Sequence, residues 1–208
     1  MPKIYSEEER KHIIAQLKKE ANILILEKGV KKTTVDELVK RVGIPKGTFY
    51  LFYPSKEMLL FDVTQDFHEE VDAYIESGIK KILLEKGKLP TPDVDLSDCV
   101  EEFTDVILGA MEITFKSCLK VVLEPEAMQL ILCKIPEDVL AHHLQDDSNM
   151  GGGAIKAVAQ AKGLDVTALT GSFMTIIFGG MYKREIGEAN WRESIRYLIK
   201  GLVMQLLL

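Results

Sequence analysis

The chain has 208 residues, 47% of them hydrophobic and 28% charged, with a formal net charge of −6 at pH 7. That is enough apolar surface for a proper core in one or two domains. The longest apolar runs, near Gly171–Tyr182 and Leu202–Leu208, fall short of the roughly 18 residues a membrane helix needs. Three widely spaced cysteines, Cys99, Cys118 and Cys133, argue against a disulfide framework and read as buried structural thiols. The polar start Met1–Arg10 is no secretory signal, so a cytoplasmic protein is expected.

The charge is unevenly placed. Residues 1–60 carry 12 Lys and Arg against 8 Asp and Glu, a balance of +4, whereas residues 61–208 carry 14 against 24, a balance of −10. A basic head on an acidic body suits a small nucleic-acid reader attached to a larger regulatory domain.

Helical periodicity runs throughout, and no stretch alternates with period two, so an all-α fold is expected. Ser6-Glu7-Glu8-Glu9 is a capping box that opens a helix with Ile14, Leu17, Ala21 and Leu24 on its apolar face, ended by Gly29. Thr34-Val35-Asp36-Glu37 is a second capping box, opening a short helix to about Arg41 that stops at Gly43. A third helix is expected from about Pro45 to Phe52, with Pro45 at the first helical position, where its missing N–H costs nothing. Pro54-Ser55 breaks it, and Ser55 caps a long fourth helix with Leu60, Val63, Phe67, Val71, Tyr74 and Ile75 on one face. Gly87–Ser97, with Pro90 and Pro92, reads as a loop. Further helices are expected over about Leu96–Lys116, after Pro125, after Pro136, near Ala154–Lys162, and over about Val166–Arg184 and Trp191–Leu208. Asp146–Gly153 reads as a flexible linker.

Two short helices around a glycine turn, with the first helix packed across them, define a helix-turn-helix. Leu38, Val42, Ile44, Phe49 and Phe52 would form its small core. At about 100° per residue, Lys46, Gly47 and Tyr50 then point away from that core. In such a motif the exposed N-terminal part of the second helix enters the major groove.

These residues carry a resemblance. Thr34-Val35-Asp36-Glu37-Leu38 through Gly43, then Lys46-Gly47-Thr48-Phe49-Tyr50, then Pro54-Ser55-Lys56-Glu57-Met58-Leu59 resembles the DNA-binding module of the tetracycline-repressor-like (TetR/AcrR) family over about 26 residues. The resemblance implies an N-terminal three-helix module, placed at 1–54, and a larger helical ligand-binding and dimerisation domain over 55–208. It also implies a homodimeric transcriptional repressor on palindromic double-stranded operator DNA, released by a small apolar or amphipathic effector. Carried over by position, the DNA-contact candidates are Thr34, Lys46, Gly47, Thr48, Tyr50 and Lys56; Thr48 enters on the resemblance alone, since the helical wheel leaves it near the buried side. Three residues depart from the family pattern. Pro45 replaces a usual serine cap, and Leu51 and Phe52 stand where side chains able to hydrogen-bond phosphate are usual.

In the body, Phe103, Ile107, Met111 and Phe115 recur every four residues, with Cys118 and Met128 soft and apolar nearby. They suit an adaptable ligand lining, or simply core. Glu101, Glu102 and Asp105 read as a solvated face. His142 and His143 are neighbours, not an i, i+4 metal pair. No metal, cofactor or catalytic constellation is expected. Gly171, Gly179 and Gly180, with Leu198 and Leu202 on the last helix, form the expected dimer element, an antiparallel pair that would make a four-helix bundle with its partner. A small-molecule carrier without DNA binding and an all-helical enzyme are the competing classes, and the basic head with Lys46 and Tyr50 outward disfavours both.

Overall fold

In a computed structural model the chain is all-α, and the structure describes residues 5–208 except 90, 92 and 142–151. His142, His143 and most of the expected Asp146–Gly153 linker lie outside the described residues, among which there is no strand.

Helix α1 (Glu7–Lys32) begins as its sequence dictates. Glu9 N–H donates to Ser6 Oγ at 3.2 Å, and Ser6 N–H donates to the Glu9 carboxylate at 2.8 Å. Gly29, at φ +80°, breaks its regularity before the last turn. Helix α2 (Val35–Val42) is capped by Thr34, whose hydroxyl accepts from Glu37 N–H at 3.4 Å. Gly43 closes it in the left-handed region at φ +75° and donates to the Val39 carbonyl.

Helix α3 (Lys46–Phe49) is shorter than the expected Pro45–Phe52. Pro45, at ψ 146°, stands outside it as the N-cap and not at the first helical position. Beyond Phe49 the chain tightens: Leu51 N–H donates to Thr48 and Phe52 N–H to Phe49, turns of three-residue span that carry it toward Pro54. Helix α4 (Lys56–Glu85) is capped by Ser55, whose Oγ accepts from Met58 N–H at 3.2 Å.

A 3₁₀ turn at Ser97–Cys99 leads into α5 (Val100–Lys116), followed by α6 (Leu119–Val122), α7 (Pro125–Leu132) and α8 (Gly152–Ala161). Gly152 and Gly153, expected in a linker, open α8. The expected Val166–Arg184 helix is two pieces, α9 (Val166–Gly180) and α10 (Lys183–Ile186), before the last helix α11 (Glu188–Leu207).

The chain divides into two compact units, and they do not follow the expected single cut after residue 54. The first comprises Met1–Phe67 with Lys116–Leu140, the second His68–Phe115 with Ala141–Leu208. The reason is apolar. Leu59, Leu60, Phe61 and Val63 at the start of α4 are buried in one core with Leu17, Leu24, Leu38 and Phe49. Cys118, Val122, Ala127 and Ile131 of the α6–α7 segment complete that core.

In the second unit, α4 and α5 approach closely. A Cβ on Gly78 would come 2.8 Å from a Val106 methyl, and one on Gly109 would come 2.3 Å from the Tyr74 hydroxyl. Tyr74 therefore lies over Gly109 at 41% exposure and is not on the buried face expected for it. Around this contact Ile79, Phe103, Leu108, Ile195, Ile199 and Val203 form the core. Glu101 and Asp105 are exposed as expected, yet they meet cations of α11: Arg196 donates to Glu101 at 2.7 Å and to Asp105, and Lys200 to Glu101. Lys200 and then Arg196 hold the Glu101 carboxyl below its usual range.

Nothing lies within 4 Å of a Cβ placed on Gly43, so a substitution there meets only backbone strain. Gly43→Ala should lower stability by about 1–2 kcal/mol, with an unchanged m-value in urea unfolding, and Gly43→Asn should cost less.

Candidate nucleic-acid interface and the cavity of the second unit

The burial of Phe49 sets the outward face of α3. Phe49 is fully buried and Thr48 is 7% exposed, so Lys46, Gly47 and Tyr50 are left outward on α3, with Tyr50 at 51% exposure. Thr34 is also exposed, at the start of α2. Lys46 Nζ lies 2.8 Å from the Asp36 carboxylate, whose hydrogen bond raises the ammonium above its usual range. The pair is solvent-exposed and therefore weak, so a phosphate or a guanine edge can displace the carboxylate. Asp36 was not legible as the partner of Lys46, because the two lie on different helices.

Two of the six candidates face inward. Thr48 Oγ1 is 3.2 Å from the Tyr5 hydroxyl, which joins α3 to the segment before α1. Lys56 Nζ donates to the carbonyls of Val30 at 2.9 Å and Thr33 at 2.8 Å. Those carbonyls close the end of α1 just beyond Gly29, so Lys56 acts as a C-terminal cap. Its ammonium is spent inside the module.

The second unit holds a partly open apolar cavity of about 80 Å³. Helix α4 contributes Val71, Asp72 and Ile75, and α5 contributes Ile107, Ala110, Met111 and Thr114. Ile155 of α8 and Thr170, Phe173, Met174 and Ile177 of α9 complete the wall. Of the six residues expected to line a pocket, Ile107 and Met111 do so. Phe103 is fully buried one turn away in the core, and Phe115 packs edge-on against Trp191, ring centroids 5.4 Å apart. Cys118 and Met128 belong to the first unit, because α5 ends at Lys116 and the next segment folds into the reader's core. Burial there pushes the Cys118 thiol up to about 12, which leaves it unreactive. The sequence pattern does not separate the α9 wall from the expected dimer element, because the same apolar residues suit both.

The five dimer candidates also separate. Gly171, Gly179 and Leu198 are exposed. Gly180 is not: a Cβ there would be 3.0 Å from the Phe115 ring, and its carbonyl accepts from Trp191 Nε1 at 2.7 Å. Leu202 is half-buried against the unit's own core. Tyr197, Met204 and Phe178 are exposed apolar residues on the same two helices.

A helix-turn-helix with a short second helix facing outward, joined to a helical unit around an apolar cavity, is the architecture of a DNA-binding regulator. The comparisons with known proteins narrow it. The model of the bacterial regulatory proteins of the tetR family matches residues 19–63. The chain is 30% identical over 149 residues to the uncharacterized HTH-type transcriptional regulator YdgC of Bacillus subtilis (strain 168), covering 69% of this chain and 68% of that protein. It is 38% identical over 47 residues to the uncharacterized HTH-type transcriptional regulator YuxN of the same organism, a match to 23% of this chain and 16% of that protein. Its fold is similar to that of the transcriptional regulator FadR from Bacillus subtilis, solved in complex with stearoyl-CoA, with a TM-score of 0.52 at 20% identity over 93% of this chain and 97% of that one. The chain belongs to the tetR family and is a transcriptional regulator.

The placement of Lys56 makes a prediction. Lys56→Met leaves two carbonyls without their cation and should cost about 1–2 kcal/mol in chemical unfolding. The salt dependence of DNA binding should stay as in the parent chain, whereas loss of a phosphate contact would make it shallower.

Proposed function

We propose that the chain is a homodimeric repressor whose α2 and α3 read each half of a palindromic operator, and that a small apolar or amphipathic effector in the second unit's cavity releases it. The observation that carries the reading is the face left outward by the burial of Phe49. Lys46 can reach guanine acceptors or phosphate, Gly47 lets the backbone approach the groove, and Tyr50 offers a ring to a thymine methyl and a hydroxyl to phosphate. Thr34 sits at a helix start, where free N–H groups attract phosphate.

The cavity supports an effector with an apolar body and one polar group, since Asp72, Thr114 and Thr170 are its polar lining. The FadR relative was solved with stearoyl-CoA. At about 80 Å³ the cavity is roughly half the size of the engineered one of about 150 Å³ that holds benzene. A compact group fits as the walls stand, and the rest of a long acyl chain would have to leave through the open side or part the walls. Helix α4 supplies the coupling route, because it begins beside the reader at Lys56 and carries Val71, Asp72 and Ile75 on the cavity wall.

For the dimer, the exposed apolar residues of α9 and α11 support a four-helix bundle between two copies. Leu198→Glu should yield monomers in sedimentation velocity and weaken operator binding. Gly180→Trp should instead unfold the second unit, because its side chain has nowhere to go but into Phe115.

The effector reading is tested with a duplex that the chain selects from a random library, using 1-octanol and stearoyl-CoA as probes. Occupancy of the cavity by either probe should weaken duplex binding about 5- to 150-fold, and the duplex should weaken that probe by the same factor. Ala110→Phe should fill the cavity and remove the response while duplex binding persists. Equal probe affinity with and without duplex would overturn the release mechanism.

A further inference from the structure

The start of α1 docks on the far end of the reading element. Tyr5 lies against Phe52, ring centroids 6.1 Å apart, and its hydroxyl meets Thr48. Arg10 sets its guanidinium over the same Phe52 ring, 4.9 Å from the centroid. An exposed cation thus stands beside α3, seated on a ring that the reading element itself supplies. The acids around it are engaged elsewhere. Glu9 closes the capping box, and Glu7 pairs with Lys11 at 3.0 Å. Among the described residues no carboxylate lies within ion-pair distance of Arg10. Lys46 and Lys56 differ on this point, the first meeting Asp36 and the second capping α1.

We infer that Arg10 is a contact to the DNA backbone, its guanidinium held by Phe52 and its N–H groups turned to a phosphate beside the groove that α3 enters. The inference rests on the DNA-binding reading above. Guanidinium suits both halves of the task, since its planar face associates with a ring while its edge forms paired hydrogen bonds to phosphate. A side chain already seated loses less freedom on binding than a free lysine. Phe52 cannot donate to phosphate; it aims a residue that can. Tyr5 is then a positioning residue, fixing Phe52 by its ring and α3 by its hydroxyl.

The test uses the full chain, a duplex it selects from a random library, and an unrelated duplex of equal length. Arg10→Gln keeps the stem on the ring and removes the charge. Its affinity should fall by a similar factor on both duplexes, and the slope of log affinity against log salt should become shallower by about 0.9 for each protomer bound. Arg10→Lys should keep the parent slope while losing affinity. Alkylation of single phosphates on the selected duplex should reveal one position that weakens the parent chain and leaves Arg10→Gln unaffected, which a purely structural role would not produce. An unchanged slope and affinity for Arg10→Gln, on a duplex the parent binds, overturns the assignment of Arg10 alone. If the parent selects no duplex at all, the DNA-binding reading fails and this inference with it.

Discussion

A helix of four residues has no stability of its own, because the cost of nucleating a turn exceeds what its few hydrogen bonds return. Helix α3 is that short, and the burial of Phe49 is what gives it a direction. With Phe49 and Thr48 turned inward, the geometry of a helix leaves Lys46, Gly47 and Tyr50 no other side to occupy. The remaining ties serve the same end. Gly43 sets the angle at which α2 hands over to α3, and Lys56 locks the close of α1 against the start of α4. The outward face of α3 is thus set by residues on its other side and at its two ends.

The second unit follows a different logic. Its helices are long enough to persist, and its design question is how much space to leave between them. At Gly78 and Gly109 the backbones of α4 and α5 come close and side chains are excluded. Toward Val71, Ala110 and Thr114 smaller or shorter side chains leave a void that the neighbouring Phe173 and Met174 do not fill. An apolar void is a standing cost in lost dispersion contacts, and any apolar molecule that fills it recovers them. The ion pairs of α5 with α11 are exposed and add little by themselves, so the geometry of this unit rests on packing.

Much of the first unit was legible because its signals are local. Capping residues act within three positions, Gly43 acts at its own φ, and an apolar face is a matter of spacing along one helix. The motif from Thr34 to Leu59 therefore predicted which side of α3 is outward. Contacts between elements were not legible in this way. No spacing rule ties Lys46 to Asp36, Lys56 to the carbonyl of Val30, or Arg10 to Phe52, since each joins helices whose angle only the packed core sets. The same limit explains the body. Phe103 through Cys118 look alike as an apolar stripe, yet only Ile107 and Met111 border the cavity, because a stripe names a buried face without saying whether side chains or empty space lie opposite. The glycines of α9 look alike in sequence for a related reason, yet Gly180 is small to admit Phe115 of its own chain while Gly171 and Gly179 have open space beside them.

The first unit is assembled from two stretches separated by the whole of α5. Cys118, Val122 and Ile131 join the core that holds Leu24, Phe49 and Leu60 only after the intervening residues have been made. Domains commonly fold from the N-terminus as they leave the ribosome, but this one has no complete core until residue 140 has emerged. The nascent reader must therefore wait with part of its apolar surface uncovered while α5 is synthesised. A helix-turn-helix that is continuous in sequence is, in the order of its birth, completed only by residues made long after it.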